Sequence, residues 1–293
     1  MADFSLDQAA GLRRMFASRQ LRIMTFASAT RGVGKTTLVA NVAVELARQG
    51  QEVLVVDENG GRNLSAFFNV PDKGELTQVL RGKRTLEDTL FSPFPGVRVL
   101  PAGRVAERLT SLSPSEQTAL RGGIQALSRP VDVLLVDSSS SHVEGFSPWG
   151  VAGEAVMVVS GARDSITDAY AMIRKISASF ARRHFRILVN RVKSVRSGQI
   201  IFGNLKKVAA ERGIARLEYG GAIPFDHTLK QLGQLCQPIV DALPDNPAAI
   251  ALREFASRLY DWPDAEYERG GVEQFVAQLL HSIPIAIPHA LHA

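Results

Sequence analysis

The chain contains 293 residues, of which 45% are hydrophobic, and it carries a formal net charge of +5 and a single cysteine, Cys236. This length is enough for one large domain with flanking segments, although a second domain is not excluded. The lone cysteine excludes an intramolecular disulfide framework and a cysteine-based zinc site, which is typical of a reducing compartment, and the histidines show no metal-ligand spacing. The N-terminus lacks the pattern of a signal peptide, and no apolar run reaches the ~18 residues of a membrane-spanning helix.

We therefore expect a cytoplasmic protein, either soluble or peripheral at the inner face of the membrane. The positive charge alone selects neither lipid nor nucleic acid as a partner. Because the basic residues are spread along the chain, a solvated surface is favoured and no nucleic-acid partner is expected.

Short apolar segments alternate with longer amphipathic segments, which indicates successive βαβ units. Seven strands are predicted, at residues 21–27, 52–56, 97–100, 131–136, 155–159, 185–189 and 217–223. Several are apolar throughout, as expected when helices cover both faces of a sheet. Five helices are predicted, at residues 35–49, 114–127, 165–181, 199–212 and 247–260. The pattern predicts an α/β fold with a mostly parallel twisted sheet flanked by helices.

A glycine-rich loop follows the first strand and opens the first helix, as a phosphate-binding P-loop requires. It comprises Arg31, Gly32, Val33, Gly34, Lys35, Thr36 and Thr37. The glycines allow backbone N–H groups to face phosphate oxygens, and the helix N-terminus adds its dipole. Lys35 would reach the β- and γ-phosphates of ATP, and the Thr36 hydroxyl would bind Mg²⁺. The alternative is a glycine turn that serves only strand-to-helix packing.

Two aspartates end predicted buried strands. Asp137 follows the strand at 131–136 and stands where a Walker B carboxylate orients the water shell of the metal. Asp57 ends the strand at 52–56. A buried strand that ends in aspartate is common, but its pairing with a P-loop favours a nucleotide site that takes ATP or ADP with Mg²⁺.

The loop and these aspartates resemble the MinD/ParA group of P-loop ATPases, and the resemblance covers nearly the whole chain. Segments that begin at Asp7, Ser165 and Gly221 extend the resemblance to the FlhG/FleN regulators of flagellar number. The resemblance implies that the nucleotide base contacts Asn190, Arg191 and Pro224. For Asn190, the alternative is that its side chain only satisfies backbone groups at a strand end.

The N-terminal segment resembles the part of FlhG/FleN proteins that engages FlhF, a GTPase of the signal-recognition-particle type. The matching residues are Asp7, Gln8, Ala9, Leu12 and Arg13. The alternative is a solvated tail without a partner. The resemblance also implies flagellar basal-body or transcription-regulator proteins as partners, and an ATP-dependent homodimer.

Two positions depart from the family pattern. Thr30 stands where MinD-like proteins carry a signature lysine that crosses the dimer, and Arg31 is a plausible substitute. Asn59 stands where the family carries the second carboxylate of Asp-x-Asp. An amide orients water but accepts no proton, so we expect slow or lost hydrolysis, with Glu58 as an alternative carboxylate.

The resulting organisation has an N-terminal partner-activating segment at 1–20, a nucleotide-binding domain at 21–263 and a C-terminal tail at 264–293. The tail contains an amphipathic helix whose apolar residues are Val272, Phe275, Val276, Leu279 and Leu280. The family keeps a membrane-targeting helix here. Because residues 270–293 contain no lysine or arginine, docking on the domain is an equal alternative to membrane contact.

The sequence thus predicts an ATP-binding regulator of flagellar number or placement with degenerate hydrolysis. Two alternatives stay open at this point. One is a ParA-like ATPase that partitions DNA or cargo, and the other is a scaffold that binds no nucleotide.

Overall fold

The computed structural model describes residues 21–59, 63–70, 75–106, 109–127, 129–139 and 153–262, together with residues 276 and 280. The strands are β1 (Arg22–Ala27), β2 (Val53–Asp57), β3 (Phe91–Phe94), β4 (Val97–Pro101), β5 (Val133–Asp137), β6 (Glu154–Ser160), β7 (His184–Val192) and β8 (Arg216–Pro224). The longer helices are α1 (Lys35–Arg48), α6 (Pro114–Gln125), α7 (Arg163–Phe180), α8 (Val195–Glu211), α9 (His227–Gln234) and α11 (Pro247–Ser257). Short helices are α2 (Asn63–Phe67), α3 (Leu76–Leu80), α4 (Leu86–Thr89), α5 (Gly103–Ala106) and α10 (Ile239–Ala242), with 3₁₀ turns at Leu109–Ser111 and Arg258–Asp261.

The described strands form one sheet in the order β3-β4-β2-β5-β1-β6-β7-β8. All neighbouring strands pair in parallel except β3 and β4, which are antiparallel. The predicted mostly parallel α/β fold is therefore confirmed. Since parallel strands share one direction, the carboxyl ends of β1, β2 and β5 lie at the same edge of the sheet, and ligands of such sheets bind at this edge.

Helices cover both faces of the sheet, and this explains the continuous apolar strands. One face packs against α1 and α11, with Phe26 of β1 near Phe255 of α11 at a ring separation of 6.0 Å. The opposite face packs against α3, α4 and α6 at one end of the sheet and against α7 and α8 at the other. The burial of both faces fixes the register in which the strand ends meet.

Each predicted strand and long helix corresponds to an observed element, with boundaries that differ by a few residues. The sequence did not predict β3, whose segment Phe91-Ser-Pro-Phe94 contains a proline, a residue that is tolerated at a sheet edge because no ladder hydrogen bond is lost there. The start of α6 is as predicted, since Ser113 and Glu116 form a reciprocal capping box ahead of Pro114.

Two residues of the predicted C-terminal helix are helical and buried. Val276 has no exposed surface and Leu280 is 7% exposed, and both belong to the apolar cluster that covers the face beside α3, α4 and α6. The other apolar residues of that prediction, and the N-terminal segment 1–20, lie outside the described residues. Within the described ranges, no helix has the length and apolar character needed to cross a membrane.

Candidate functional site

The predicted P-loop connects β1 to α1 at the carboxyl edge of the sheet. Gly32 and Gly34 have positive φ values of 75° and 93°, which side chains rarely tolerate, and α1 begins directly afterwards at Lys35. The N-terminal N–H groups of α1 have no partner inside the helix and are available to an anion. The glycine turn therefore has the conformation of a phosphate-binding loop.

Gly34 is also required by close packing against the end of β7. A Cβ atom on Gly34 would lie 2.6 Å from Nδ2 of Asn190. The Asn190 amide donates to the carbonyl of Val33 at 2.7 Å, and its oxygen accepts the N–H of Arg191 at 2.9 Å. The alternative role for Asn190, satisfaction of backbone groups, is thus present in the structure. Its contact with a nucleotide base stays a prediction.

Four predicted residues, Lys35, Thr36, Asp57 and Asp137, meet at the ends of β1, β2 and β5. Asp57 and Asp137 are directly paired in the register of the neighbouring strands β2 and β5. Lys35 forms a buried ion pair with Oδ1 of Asp137, and the Thr36 hydroxyl donates to Oδ2 of Asp137 at 2.8 Å. Lys35 and Thr36, which are expected to bind phosphate and Mg²⁺, therefore both contact Asp137, the predicted Walker B carboxylate.

Asn59 joins the two carboxylates. Its side-chain nitrogen donates to Oδ1 of Asp57 at 3.0 Å and to Oδ2 of Asp137 at 2.9 Å. Burial and the charge of Asp137 raise the pKa of Asp57 to about 6, although hydrogen bonds from Asn59 and Leu64 act in the opposite direction. The amide thus partly relieves the repulsion between two buried acids.

The other residues that depart from the family pattern lie around this cluster. Glu58 is 1% exposed, and its Oε2 accepts the N–H of Ser139 at 3.2 Å, so its carboxylate faces the end of β5. Thr30 donates a long hydrogen bond of 3.4 Å to Asp168 on α7. Arg31 is exposed on the P-loop.

A cavity of about 390 Å³ adjoins the P-loop and is large enough for a nucleotide base with its sugar. The base-binding residues predicted from the sequence, Asn190, Arg191 and Pro224, all line this cavity. They are joined by Phe225, by Asp226 at the N-cap of α9, and by residues of α9, none of which was predicted to line the site: Leu229, Lys230, Gly233 and Gln234. The structure therefore brings the phosphate loop and the predicted base contacts to one continuous depression.

Asp226 fixes the α9 wall of this cavity. Its Oδ1 accepts the N–H of Leu229 at 2.9 Å, which caps the helix, and its Oδ2 accepts the amide of Asn246 at 3.0 Å. The hydrogen bond from Asn246 lowers the pKa of Asp226, and the cap acts in the same direction against the effect of burial. The sequence signal for this wall was an aspartate followed by apolar residues at helical spacing.

The donor set is suitable for Mg²⁺. Hydroxyl and carboxylate oxygens are the ligands that this ion prefers, and Thr36, Asp57 and Asp137 supply them beside the P-loop. The direct contact between Thr36 and Asp137 places these groups close enough to share one hydrated ion. Thr36, Asp57 and Asp137 are thus the residues that would hold the metal.

A P-loop at the end of β1, facing aspartates at the ends of β2 and β5 in a parallel sheet, defines a P-loop nucleotide-binding protein. Residues 24–238 match the family described as the CobQ/CobB/MinD/ParA nucleotide binding domain, and the chain belongs to this family. The predicted P-loop fold class of MinD/ParA type is thereby confirmed.

The resemblance to the FlhG/FleN group is confirmed by curated relatives. Antiactivator FleN of Pseudomonas aeruginosa is 29% identical over 271 residues, which cover 92% of this chain and 97% of FleN. The flagellum site-determining protein YlxH of Helicobacter pylori is 26% identical and covers 88% of this chain and 90% of YlxH. Among solved structures, the MinD cell division protein of Aquifex aeolicus is 27% identical, with a TM-score of 0.63 over 83% of this chain and 98% of MinD.

Proposed function

We propose that the chain is an ATP-binding regulator of flagellar number or placement, which acts on a FlhF-like GTPase and hydrolyses ATP slowly. The similarity to FleN and to the flagellum site-determining protein YlxH supports the flagellar assignment. The cluster of Lys35, Asp57, Asn59 and Asp137 supports the expectation that binding is kept while hydrolysis is weakened.

When ATP binds, the Lys35 side chain moves from Asp137 to the phosphates. A phosphate at the N-terminus of α1 offers Lys35 a more highly charged anion than Asp137, and the P-loop N–H groups bind it as well. Oδ1 of Asp137 would then be available to a Mg²⁺ ion or to its water shell. Mg²⁺, when bound, neutralises negative charge on the phosphates. This exchange distinguishes the nucleotide-bound protein from the state described above, as a regulatory switch requires.

Hydrolysis is slow in this proposal because the attacking water lacks a carboxylate beside it. The Asn59 amide donates hydrogen bonds to Asp57 and Asp137, so its nitrogen faces the acids. An amide cannot take up the proton of a water molecule. The Thr30 side chain is also too short to cross to a partner's phosphate, which favours a monomer or a weak ATP-dependent homodimer.

Asn59→Asp should therefore raise the rate of ATP hydrolysis, by about tenfold or more if the restored carboxylate positions the water, given the ~10²–10⁴-fold range of such groups. The rate is measured by phosphate release at saturating Mg²⁺ and ATP. Asn204→Asp is the matched control, since Asn204 is exposed on α8 and the same charge is added away from the site. A wild-type rate that equals that of active MinD-like enzymes would contradict slow hydrolysis.

The partner is tested with the N-terminal segment. A peptide of residues 1–20 should stimulate the GTPase activity of a FlhF-like protein, and Gln8→Ala should remove the stimulation. Gln20→Ala in the same peptide is the control and should keep it. Equal stimulation by the wild-type and Gln8→Ala peptides would leave the assignment of Gln8 without support, and absence of stimulation by any peptide would exclude the FlhF-like partner.

The C-terminal helix is proposed to dock on the domain in the state described here. Val276 and Leu280 are buried in the domain's own apolar cluster, so these side chains are not available to a lipid surface. The lack of lysine and arginine from residue 270 onwards removes electrostatic attraction to anionic lipid. Both observations favour a cytoplasmic location over contact with the inner face of the membrane.

A further inference from the structure

The Asn59 side chain occupies the position between the two acids of the site. Its single NH₂ group lies 3.0 Å from Oδ1 of Asp57, 2.9 Å from Oδ2 of Asp137 and 3.2 Å from the main-chain oxygen of Asp137. All three partners are acceptors. The nitrogen of the amide must therefore face these three oxygens. The NH₂ group thus donates hydrogen bonds to both carboxylates at once.

Each carboxylate oxygen of this pair already has a protein donor. Oδ1 of Asp57 accepts the main-chain and side-chain N–H groups of Asn59, and Oδ2 accepts the N–H of Leu64 at 3.2 Å. Oδ1 of Asp137 contacts Lys35, and Oδ2 accepts from Thr36 and Asn59. The two acids are 5% and 0% exposed, so these donors replace water as their partners.

We propose that Asn59 competes with the divalent cation for Oδ1 of Asp57 and Oδ2 of Asp137, so that a metal reaches these two oxygens only when the amide leaves. A cation, or a water molecule of its shell, that uses these two oxygens must replace the hydrogen bonds of the Asn59 NH₂ group. Binding of nucleotide alone needs no such displacement, since the P-loop and Lys35 serve the phosphates. Nucleotide binding by this chain therefore depends only weakly on Mg²⁺. That last consequence rests on the function proposed above.

The small number of charged ligands at the site also lowers its affinity for a divalent cation. Among the described residues, no group of three or more His, Cys, Asp or Glu side chains is arranged to hold a metal ion. Asp57 and Asp137 are two acids, and an aspartate at position 59 would make three. Affinity for hard cations rises with the number of charged oxygen ligands, so asparagine lowers it both by removing a ligand and by adding a competing donor.

Displacement of Asn59 also affects the segment that follows β2. Asp57 accepts the main-chain N–H of Asn59 at 3.0 Å and that of Leu64 in α2 at 3.2 Å. A metal that recruits Asp57 weakens these contacts together with the side-chain contact. Asp57 therefore couples metal entry to the attachment of α2, and Asn59 acts on this coupling only through the other oxygen of Asp57.

The test measures the binding of Mn²⁺ alone to the full-length, nucleotide-free protein. Binding is detected by electron paramagnetic resonance as a loss of the signal of the free ion. Asn59→Ala removes the competing donor, and Asn59→Asp also adds a ligand. Asn59→Ala should bind Mn²⁺ tighter than wild type by about threefold or more, and Asn59→Asp by about tenfold or more, following ligand charge. Asn204→Asp should match wild type.

An Asn59→Ala affinity equal to or weaker than that of wild type, including the absence of binding by both, would overturn the proposal. Should Asn59→Ala fail to fold, Asn59→Leu takes its place, because leucine is close to asparagine in size but has no NH₂ group, and it too should bind Mn²⁺ more tightly than wild type. Fluorescent ADP binding in excess chelator is measured separately. Binding that is lost in chelator but present with Mg²⁺ would overturn the weak dependence on Mg²⁺. Absence of binding under both conditions would refute the proposed nucleotide function, while the order of Mn²⁺ affinities would still test Asn59.

Discussion

Lys35→Met should nearly abolish the binding of ATP and ADP. Lys35 is 7% exposed and is the first residue of α1, where the phosphates are expected, and its ammonium group contacts Asp137. Loss of one partner from a buried, hydrogen-bonded charge pair typically costs about 2–5 kcal/mol, or roughly a 30-fold or greater loss of affinity. Isothermal titration calorimetry with each nucleotide measures the change.

The same substitution removes the cation beside Asp137, which has no exposed surface. Thr36 and Asn59 still donate to Asp137, so we expect a folded protein of lower stability, and thermal unfolding should accompany the titrations. Lys207→Met is the matched control, because Lys207 is 77% exposed and makes only a 3.9 Å contact with Glu211. Retention of wild-type affinity by Lys35→Met would exclude Lys35 from the phosphate site.

Gly34→Ala should lower the free energy of unfolding more than the addition of a methyl group at any other position of the P-loop. The residue has φ of 93°, and the new Cβ would lie 2.6 Å from Nδ2 of Asn190. Backbone strain of about 1–3 kcal/mol adds to the cost of moving Asn190 from the Val33 carbonyl, about 1–3 kcal/mol for a buried bond. Urea unfolding should show a total loss of about 2–6 kcal/mol.

Gly82→Ala separates the two causes. Gly82 also has a positive φ, 65°, but a Cβ there meets no atom within 4 Å. This control should lose only the strain energy, about 1–3 kcal/mol. Equal losses at the two glycines would show that the contact between the P-loop and Asn190 contributes nothing. Since Gly34 shapes the loop, its alanine variant should also lose nucleotide binding, whereas Gly82→Ala should keep it.

The parts of the site that lie close together in the sequence could be predicted, because their physical signals are local. The turn before Lys35 and the burial of the strands that end in Asp57 and Asp137 depend on neighbouring residues alone, so their elements were placed within a few residues. The capping box at Ser113 is a local signal of the same kind.

The remaining features depend on contacts between distant segments. Asn190 meets Val33 across 157 residues of sequence, and Asn59 meets Asp137 across 78. No spacing rule predicts that the Asn59 nitrogen faces two acids, since this follows from the pairing of β2 with β5. The sequence did not predict α9, which forms one wall of the cavity, because this helix is short and contains few apolar residues.

The origin of the cluster residues links the site to folding. Lys35, Asp57 and Asp137 follow three strands, β1, β2 and β5, that are central in the sheet but distant in the chain. These groups come together only when β5 has paired with both β1 and β2, so unfolded and partly folded chains lack the site. A nucleotide that binds only the completed sheet raises the free energy of unfolding with its own concentration. For the nucleotide-binding function proposed above, the cellular pool of ATP and ADP would thus act as a folding cofactor, and the lifetime of the folded chain would rise with the concentration of nucleotide.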